Sequence, residues 1–192
     1  MDQEQRWIEA ARRGDRDAFG HLVQAYQRPV YNLTYRMLGN AEEAEDAAQE
    51  VFLRAYRKLD TFDPGRKFST WLLSIASHYC IDRLRRQRLK WLSLEDENLP
   101  PSALVSHQAG PERCLVQGEQ QAQIQALLDT LSDDYRAAVI LHYWYDFSYE
   151  EIAETTGSTV SAIKSRLFRA RRMLAQQLQQ AEAQAGALAL AY

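Results

Sequence analysis

Between Ser161 and Arg172 the chain carries Lys164, Arg166, Arg169, Arg171 and Arg172 with no acid among them. Guanidinium and ammonium groups at this density bind phosphates, and hydroxyls such as Ser161 and Ser165 donate to phosphates and base edges alike. A second basic stretch runs from Arg83 to Lys90, preceded by Trp71 with Arg66 and Lys67. An aromatic platform flanked by cations is the chemistry that holds unstacked bases and the strand carrying them. The opposite charge is concentrated elsewhere, in the purely acidic run Glu42, Glu43, Glu45, Asp46 and Glu50. A net charge of -3 therefore hides an uneven distribution, which implies two nucleic-acid-facing surfaces and a separate acidic one.

Other chemistries find no support. There is no phosphate-cradling glycine loop, no metal-ligand cluster, and no Ser-His-Asp or paired-carboxylate constellation. His78 and Cys80 stand two apart on a predicted helix, so they point to different faces and do not share a metal. Cys80 and Cys114 are too few and too far apart for a disulfide framework and form no Cys-x-x-Cys pair, so both are read as ordinary thiols. Neither metal, cofactor nor catalysis is expected.

The elements that would position these groups read as helices throughout. Apolar residues recur at helical spacing as Phe19, Leu22, Val23, Tyr26, Val30, Leu33 and Met37, then as Ala44, Ala47, Ala48, Val51, Phe52, Ala55, Tyr56 and Leu59. A third helix fits Phe68, Trp71, Leu72, Ile75, Ala76 and Tyr79. Gly39-Asn40 and Asp63-Pro64-Gly65 are the turns between them. Pro29 is expected to kink or break the first of the three, and a short helix near Gln5 to Arg12 precedes it. From Ser93 to Gly118 the pattern fails, with Pro100-Pro101 and Gly110-Pro111 in its place, which reads as a flexible linker. Helical spacing then returns with Ile124, Leu127, Leu128 and Leu131. Ser132-Asp133-Asp134 is an N-cap signal for a helix that carries Val139, Ile140, Leu141 and Trp144.

Near the C-terminus, Ser148-Tyr149-Glu150-Glu151 is a capping box, opening a short helix with Ile152 and Ala153 inward. Gly157 ends it, and Ser158 or Thr159 caps a second helix whose inner stripe is Val160, Ile163, Leu167, Ala170 and Leu174. Short helix, glycine turn and longer helix form the helix-turn-helix plan. Ser161, Lys164, Ser165, Phe168 and Arg172 share the opposite face, suited to DNA, with Phe168 serving either a domain contact or a DNA contact. The fold class is thus all-α, with two helical domains at 1–92 and 119–180, a linker at 93–118, and a fraying tail at 181–192. The 192 residues are 46% apolar and 26% charged, with a mean hydropathy of -0.49, enough for two small cores in a soluble chain. No stretch approaches a spanning helix and Met1 to Arg13 is charged throughout, so membrane insertion is not expected and the cytoplasm is.

A helix-turn-helix alone says only that DNA is bound; the N-terminal half is more specific. Asp46-Ala-Ala-Gln49-Glu50-Val-Phe-Leu-Arg-Ala-Tyr56, then Phe62, Lys67-Phe68-Ser69-Thr70-Trp71-Leu72 and Ile81-Asp82-Arg83-Leu84-Arg85-Arg86 closely resemble the core-binding, DNA-melting and minus-10 segments of bacterial sigma factors. Ser148 to Met173 resembles the minus-35 segment, above all Lys164-Ser-Arg-Leu-Phe-Arg-Ala-Arg171. The resemblance covers Asp17 to Leu178, and the short linker restricts it to the extracytoplasmic-function (ECF) group. It implies that Asp46, Gln49 and Glu50 meet core RNA polymerase. It implies that Arg66, Lys67, Trp71, His78, Arg83 and Arg86 meet minus-10 DNA, the loop from Phe62 to Lys67 helping to hold a flipped base. His78 stands where relatives often have Asn. For minus-35 DNA it implies Ser161, Lys164, Ser165, Arg166, Phe168, Arg169 and Arg172. An anti-sigma partner is also implied, and no inhibitory C-terminal extension is expected. The competing reading, a dimeric helix-turn-helix regulator acting without polymerase, leaves the melting-like segment unexplained.

Overall fold

The computed structural model describes residues 3–95 and 115–189. The chain divides into two compact units, Met1–Gly110 and Pro111–Tyr192. Among the described residues every regular element is helical. The first unit holds α1 (Gln3–Arg12), α2 (Arg16–Leu38), α3 (Ala41–Arg57), a 3-10 turn (Leu59–Thr61) and α4 (Phe68–Glu95). The second holds α5 (Leu115–Asp129), α6 (Asp133–Tyr145), α7 (Tyr149–Thr156) and α8 (Val160–Ala189).

Local chemistry sets most boundaries. Asp15 caps α2, its carboxylate accepting from the backbone N–H of Asp17 at 3.0 Å and of Ala18 at 3.1 Å. Gly39, at φ 74, closes α2 in the left-handed region and donates to Tyr35 O at 2.8 Å. Asn40 then accepts from Glu43 N at 3.0 Å and starts α3, so the predicted Gly-Asn turn is one residue of exit followed by one of entrance. Asp63 anchors the next turn: its carboxylate accepts from Gly65 N at 2.9 Å and its carbonyl from Arg66 N at 3.0 Å.

The first core is formed by Leu22, Val30, Leu33 and Met37 of α2, Ala44, Ala47, Val51 and Ala55 of α3, and Phe68, Leu72, Ala76 and Cys80 of α4. Small residues on α3 let it approach α2 closely enough for the buried Thr34 hydroxyl to donate to Ala44 O at 2.9 Å. Pro29 does not break α2, which runs unbroken from Arg16 to Leu38. Leu22 before Pro29 and Val30, Leu33 and Met37 after it enter one core. Burying such side chains is worth roughly 1.5–3 kcal/mol each, and together they outweigh the roughly 3 kcal/mol that an interior proline costs. α1 packs on α2 through the Trp7 and His21 rings, stacked with centroids 5.1 Å apart, and through a hydrogen bond from the Tyr26 hydroxyl to Glu4.

Helix also occupies both ends of the stretch predicted as linker, since α4 continues to Glu95 and α5 begins at Leu115. The remainder of that stretch, with Pro100-Pro101, Gly110-Pro111 and Cys114, lies outside the described residues. α8 continues to Ala189, further than the fraying expected beyond residue 180, because alanine and glutamine are good helix formers.

In the second unit Leu128, Leu131, Ile140, Leu141, Phe147, Ile152, Ile163 and Leu167 form the core. Ser132 occupies the N-cap position of α6, but its side chain makes no capping bond. The corner is held instead by buried Arg136, whose Nε donates to Leu128 O at 3.0 Å and whose Nη1 lies 3.4 Å from the Asp129 carboxylate. That guanidinium adds a donor to Leu128 O, which also accepts from Leu131 N, and its Nη2 donates to Asp129 O at 3.3 Å, so it serves carbonyls at the end of α5.

Candidate nucleic-acid interface

The helix-turn-helix is fixed by backbone chemistry at each joint. Ser148 accepts from Glu151 N at 3.1 Å while Glu151 accepts from Ser148 N at 2.8 Å, which completes the predicted capping box. Gly157 ends α7 at φ 61, and Thr159 is the residue that caps α8, accepting from Ala162 N at 3.2 Å. Ser158, the other candidate cap, instead accepts from Arg166.

These joints turn α8 so that Ile163, Leu167 and Ala170 are buried while Ser161, Lys164, Ser165, Phe168, Arg169 and Arg172 are exposed. Phe168 is 63% exposed, so within its own unit it is not a packing residue. Lys164 Nζ lies 5.9 Å from the centre of the Tyr149 ring, a cation-π approach that steadies the ammonium at the start of the face. Arg166 differs from its neighbours. Its Nη1 donates to Ser158 Oγ at 2.8 Å and its Nη2 lies 3.5 Å from the Asp134 carboxylate, fastening α8 to the turn before it and to the first turn of α6. Arg171, left out of the sequence-derived set, is exposed too. It follows Lys164 by seven positions, a spacing that puts it on the same face and could have identified it.

In the first unit Trp71 is half-buried, its ring 5.4 Å from that of Phe62 and 5.5 Å from that of Phe68, both of which are buried. Packing thus covers part of the indole and leaves part of it accessible. Arg66 and Lys67 are exposed beside a cleft of about 520 Å3, whose walls also include Glu4, Ile8 and Glu9 of α1 and the Phe62 and Phe68 rings. The contribution of α1 to that wall was not foreseen, because it depends on how α1 docks. On α4, His78 is exposed with Nδ1 2.8 Å from Ser74 O, whereas Cys80 is buried, so the two do face apart. Burial pushes the Cys80 thiol from its ordinary 9.0 up to about 12, with Arg83 nearby acting the other way.

Arg86 is exposed, but Arg83 is only partly so and is already engaged. Its Nε lies 3.3 Å from Glu43 Oε2 and its Nη1 donates to the Tyr79 hydroxyl at 3.4 Å. Burial works against that cation, yet the Tyr79 hydrogen bond and the Glu43 charge outweigh it and raise the guanidinium pKa. The predicted acidic surface on α3 is accordingly divided. Asp46 and Gln49 are exposed, and Glu50 is bound by Arg54 Nε at 2.8 Å, a hydrogen bond that lowers its carboxyl pKa against a smaller opposing effect of burial. Glu43 turns towards α4.

Sigma-70 region 2 matches residues 22–90 and sigma-70 region 4 matches residues 121–174. The chain is 42% identical over 176 residues to the ECF RNA polymerase sigma factor SigW of Bacillus subtilis, covering 89% of this chain and 94% of that protein. It is 34% identical to the RNA polymerase sigma-H factor of Pseudomonas aeruginosa, covering 93% and 95% respectively. Among solved structures it is similar to the sigma factor RpoE of Bartonella quintana in complex with the anti-sigma factor NepR, with a TM-score of 0.64 and 25% identity over 84% of this chain and 96% of that one. CnrH, solved with the cytosolic domain of CnrY, has the same fold, with a TM-score of 0.66 and 22% identity over 93% of this chain and 99% of that one.

Proposed function

Since this chain belongs to the ECF sigma factors of the sigma-70 family, we propose that it directs core RNA polymerase to specific promoters, with a division of labour among three helix faces. The exposed face of α3, with Asp46, Gln49 and Glu50, engages the polymerase, where acids on a helix are complementary to a basic partner. The face formed by Arg66, Lys67, Trp71, His78, Arg83 and Arg86 takes the minus-10 element. Its half-covered indole stacks an unpaired base while the cations follow the strand. The cleft beside Arg66 and Lys67 has room for a base turned out of the duplex. On α8, Ser161, Lys164, Ser165, Phe168, Arg169 and Arg172, joined by Arg171, read the minus-35 element. There the hydroxyls and cations meet phosphates and base edges, and Phe168 meets thymine methyls. Arg166 supports that face through its ties to Ser158 and Asp134.

Promoter opening on this reading is driven by binding energy, and nucleotide chemistry stays with the polymerase. The chain itself is not a catalyst and takes no cofactor. It works in the cytoplasm, where its partners are; no described helix is long and apolar enough to cross a membrane. An anti-sigma factor holds it inactive, a partner suggested by the complex in which the RpoE relative was solved.

One observation carries the proposal most directly. A single chain presents a capped helix-turn-helix with an exposed basic face in one compact unit and an aromatic-and-cation face in the other. Run-off transcription with purified core polymerase on a promoter fragment library, with and without this protein, tests it. Promoter-specific transcripts that require the protein are expected. No transcripts, combined with sequence-specific DNA binding by the protein alone, would overturn it in favour of a regulator that acts without polymerase.

A further inference from the structure

We infer that Glu43 sets the DNA affinity of α4 by holding Arg83, and that a cationic partner on the acidic face of α3 releases Arg83 for DNA. The inference rests on the proposed role of Arg83 at the minus-10 element. A guanidinium grips a phosphate best through two parallel N–H donors on one edge. Here the Nε of Arg83 is 3.3 Å from Glu43 Oε2, and Nη1 is directed at the Tyr79 hydroxyl, 3.4 Å away. Each two-donor edge of the guanidinium, Nε with Nη2 and Nη1 with Nη2, thus has one donor engaged from within the chain.

Glu43 is itself gripped by α4. Gln87, one turn beyond Arg83, donates to both oxygens of the same carboxylate at 3.2 and 3.4 Å. On its own helix, however, Glu43 belongs to the outward acidic face. Glu43, Asp46 and Glu50 fall at i, i+3 and i+7, on one side of α3. From Glu50 the connection returns to Arg83 by a second route. Arg54 binds Glu50 at 2.8 Å and lies 4.6 Å above the centre of the Tyr79 ring, whose hydroxyl accepts from Arg83. Glu43, Arg83, Tyr79, Arg54 and Glu50 thus form one circuit of charge joining the face assigned to the polymerase with the face assigned to DNA.

The strength of the contact suits exchange. The Arg83 and Glu43 side chains are 28% and 35% exposed, so water and salt screen the pair and breaking it leaves neither charge buried. A lysine or arginine arriving on α3 competes for the Glu43 carboxylate, and a phosphate arriving on α4 competes for Arg83. Each competitor weakens the contact that opposes the other, so the two bind cooperatively, and by linkage the coupling is reciprocal. Glu43 is a positioning residue in this scheme, touching neither base nor phosphate.

The test is binding of a fluorescein-labelled, mixed-sequence single-stranded oligonucleotide to the full chain, followed by anisotropy across a salt series. Glu43→Gln frees Arg83 and is expected to tighten binding several-fold beyond a Glu42→Gln control, which removes the same charge from exposed surface. It should also steepen the dependence of log K on log salt by about 0.7, the increment for one more phosphate contact on a single strand. Glu43→Asp keeps the charge but withdraws the carboxylate by one methylene, and it should show the same direction of change, which net charge cannot produce. In an Arg83→Gln background neither substitution should have an effect beyond the control, and on core polymerase the advantage of Glu43→Gln should shrink towards none. Equal binding by Glu43→Gln and Glu42→Gln, a gain that survives Arg83→Gln, or a gain undiminished on the polymerase would each overturn the inference. Wild-type affinity in Arg83→Gln on core polymerase, where the contact is released, would instead overturn the DNA-facing role of Arg83.

Discussion

Among the cations of α8, charge and position in the motif do not separate the one that supports the helix from those that face outward. Arg166 is tied to Ser158 and Asp134, whereas Lys164 and Arg172 are exposed. The two kinds separate by salt dependence. Lys164→Ala and Arg172→Ala are each expected to reduce the salt slope of holoenzyme binding to promoter duplex by about 0.9 without altering thermal stability. Arg166→Ala is expected to cost roughly 0.5–1 kcal/mol of stability, measured by urea unfolding, because its partly exposed ion pair and hydrogen bond are of that order. A reduced slope with unchanged stability in Arg166→Ala would return that residue to the DNA-facing set. Cys80 is the other residue whose role depends on its surroundings. The thiolate is the reactive form, and burial raises the pKa to about 12, so at pH 8 the folded protein holds this group protonated and covered. In a Cys114→Ser variant, Ellman's reagent should leave Cys80 untouched at pH 8 in buffer and titrate it fully in urea. Fast stoichiometric labelling of the native chain would contradict this.

Helix ends were legible in the sequence wherever their chemistry is local. Gly39-Asn40, the Ser148 to Glu151 box and Gly157 all stand where the pattern put them, since each needs only a few consecutive residues. Two details depend on contacts that are not local. Pro29 does not break α2, which has core on both sides of it, and Ser132 stands at the N-cap of α6 without a side-chain bond while the Arg136 side chain holds the end of α5. The α3–α4 circuit was hidden for the same reason: nothing near Glu43 in sequence announces that Arg83 and Gln87 lie against it. Glycines show how backbone state decides a prediction that composition leaves open. An added Cβ would meet nothing within 4 Å at either Gly20 or Gly157, but only Gly157 has positive φ, at +61. Gly157→Ala should therefore destabilise the second unit by roughly 1–2 kcal/mol. Gly20→Ala, in the interior of α2, should stabilise the first by up to about 1 kcal/mol. Chemical denaturation of each variant checks both signs, and a loss at Gly20 would point to strain that the open space does not show.

At the scale of the whole molecule, one chain carries two compact units, each with a proposed promoter-facing surface. Once the polymerase carries both, contact by one unit raises the effective concentration of the other, so modest interfaces combine into a specific one. That separates contributions cleanly. Asp46→Lys with Glu50→Lys should abolish association with core polymerase in a pulldown while the helical circular dichroism signal is retained, because both side chains lie on the α3 surface away from the core. Arg83→Ala with Arg86→Ala should slow open-complex formation, and Lys164→Ala with Arg172→Ala should weaken closed promoter binding, each leaving core association intact. The two DNA-facing pairs belong to different units and share no hydrogen-bond or ion-pair partner among the described contacts. Their combined loss in overall promoter occupancy should therefore equal the sum of the separate losses in free energy, within about 0.5 kcal/mol. Additivity requires both units to be engaged on the same DNA in the same complex. If the N-terminal pair had no effect alone and none in combination, promoter recognition would belong to α8 by itself and the assignment of the α4 face would fall.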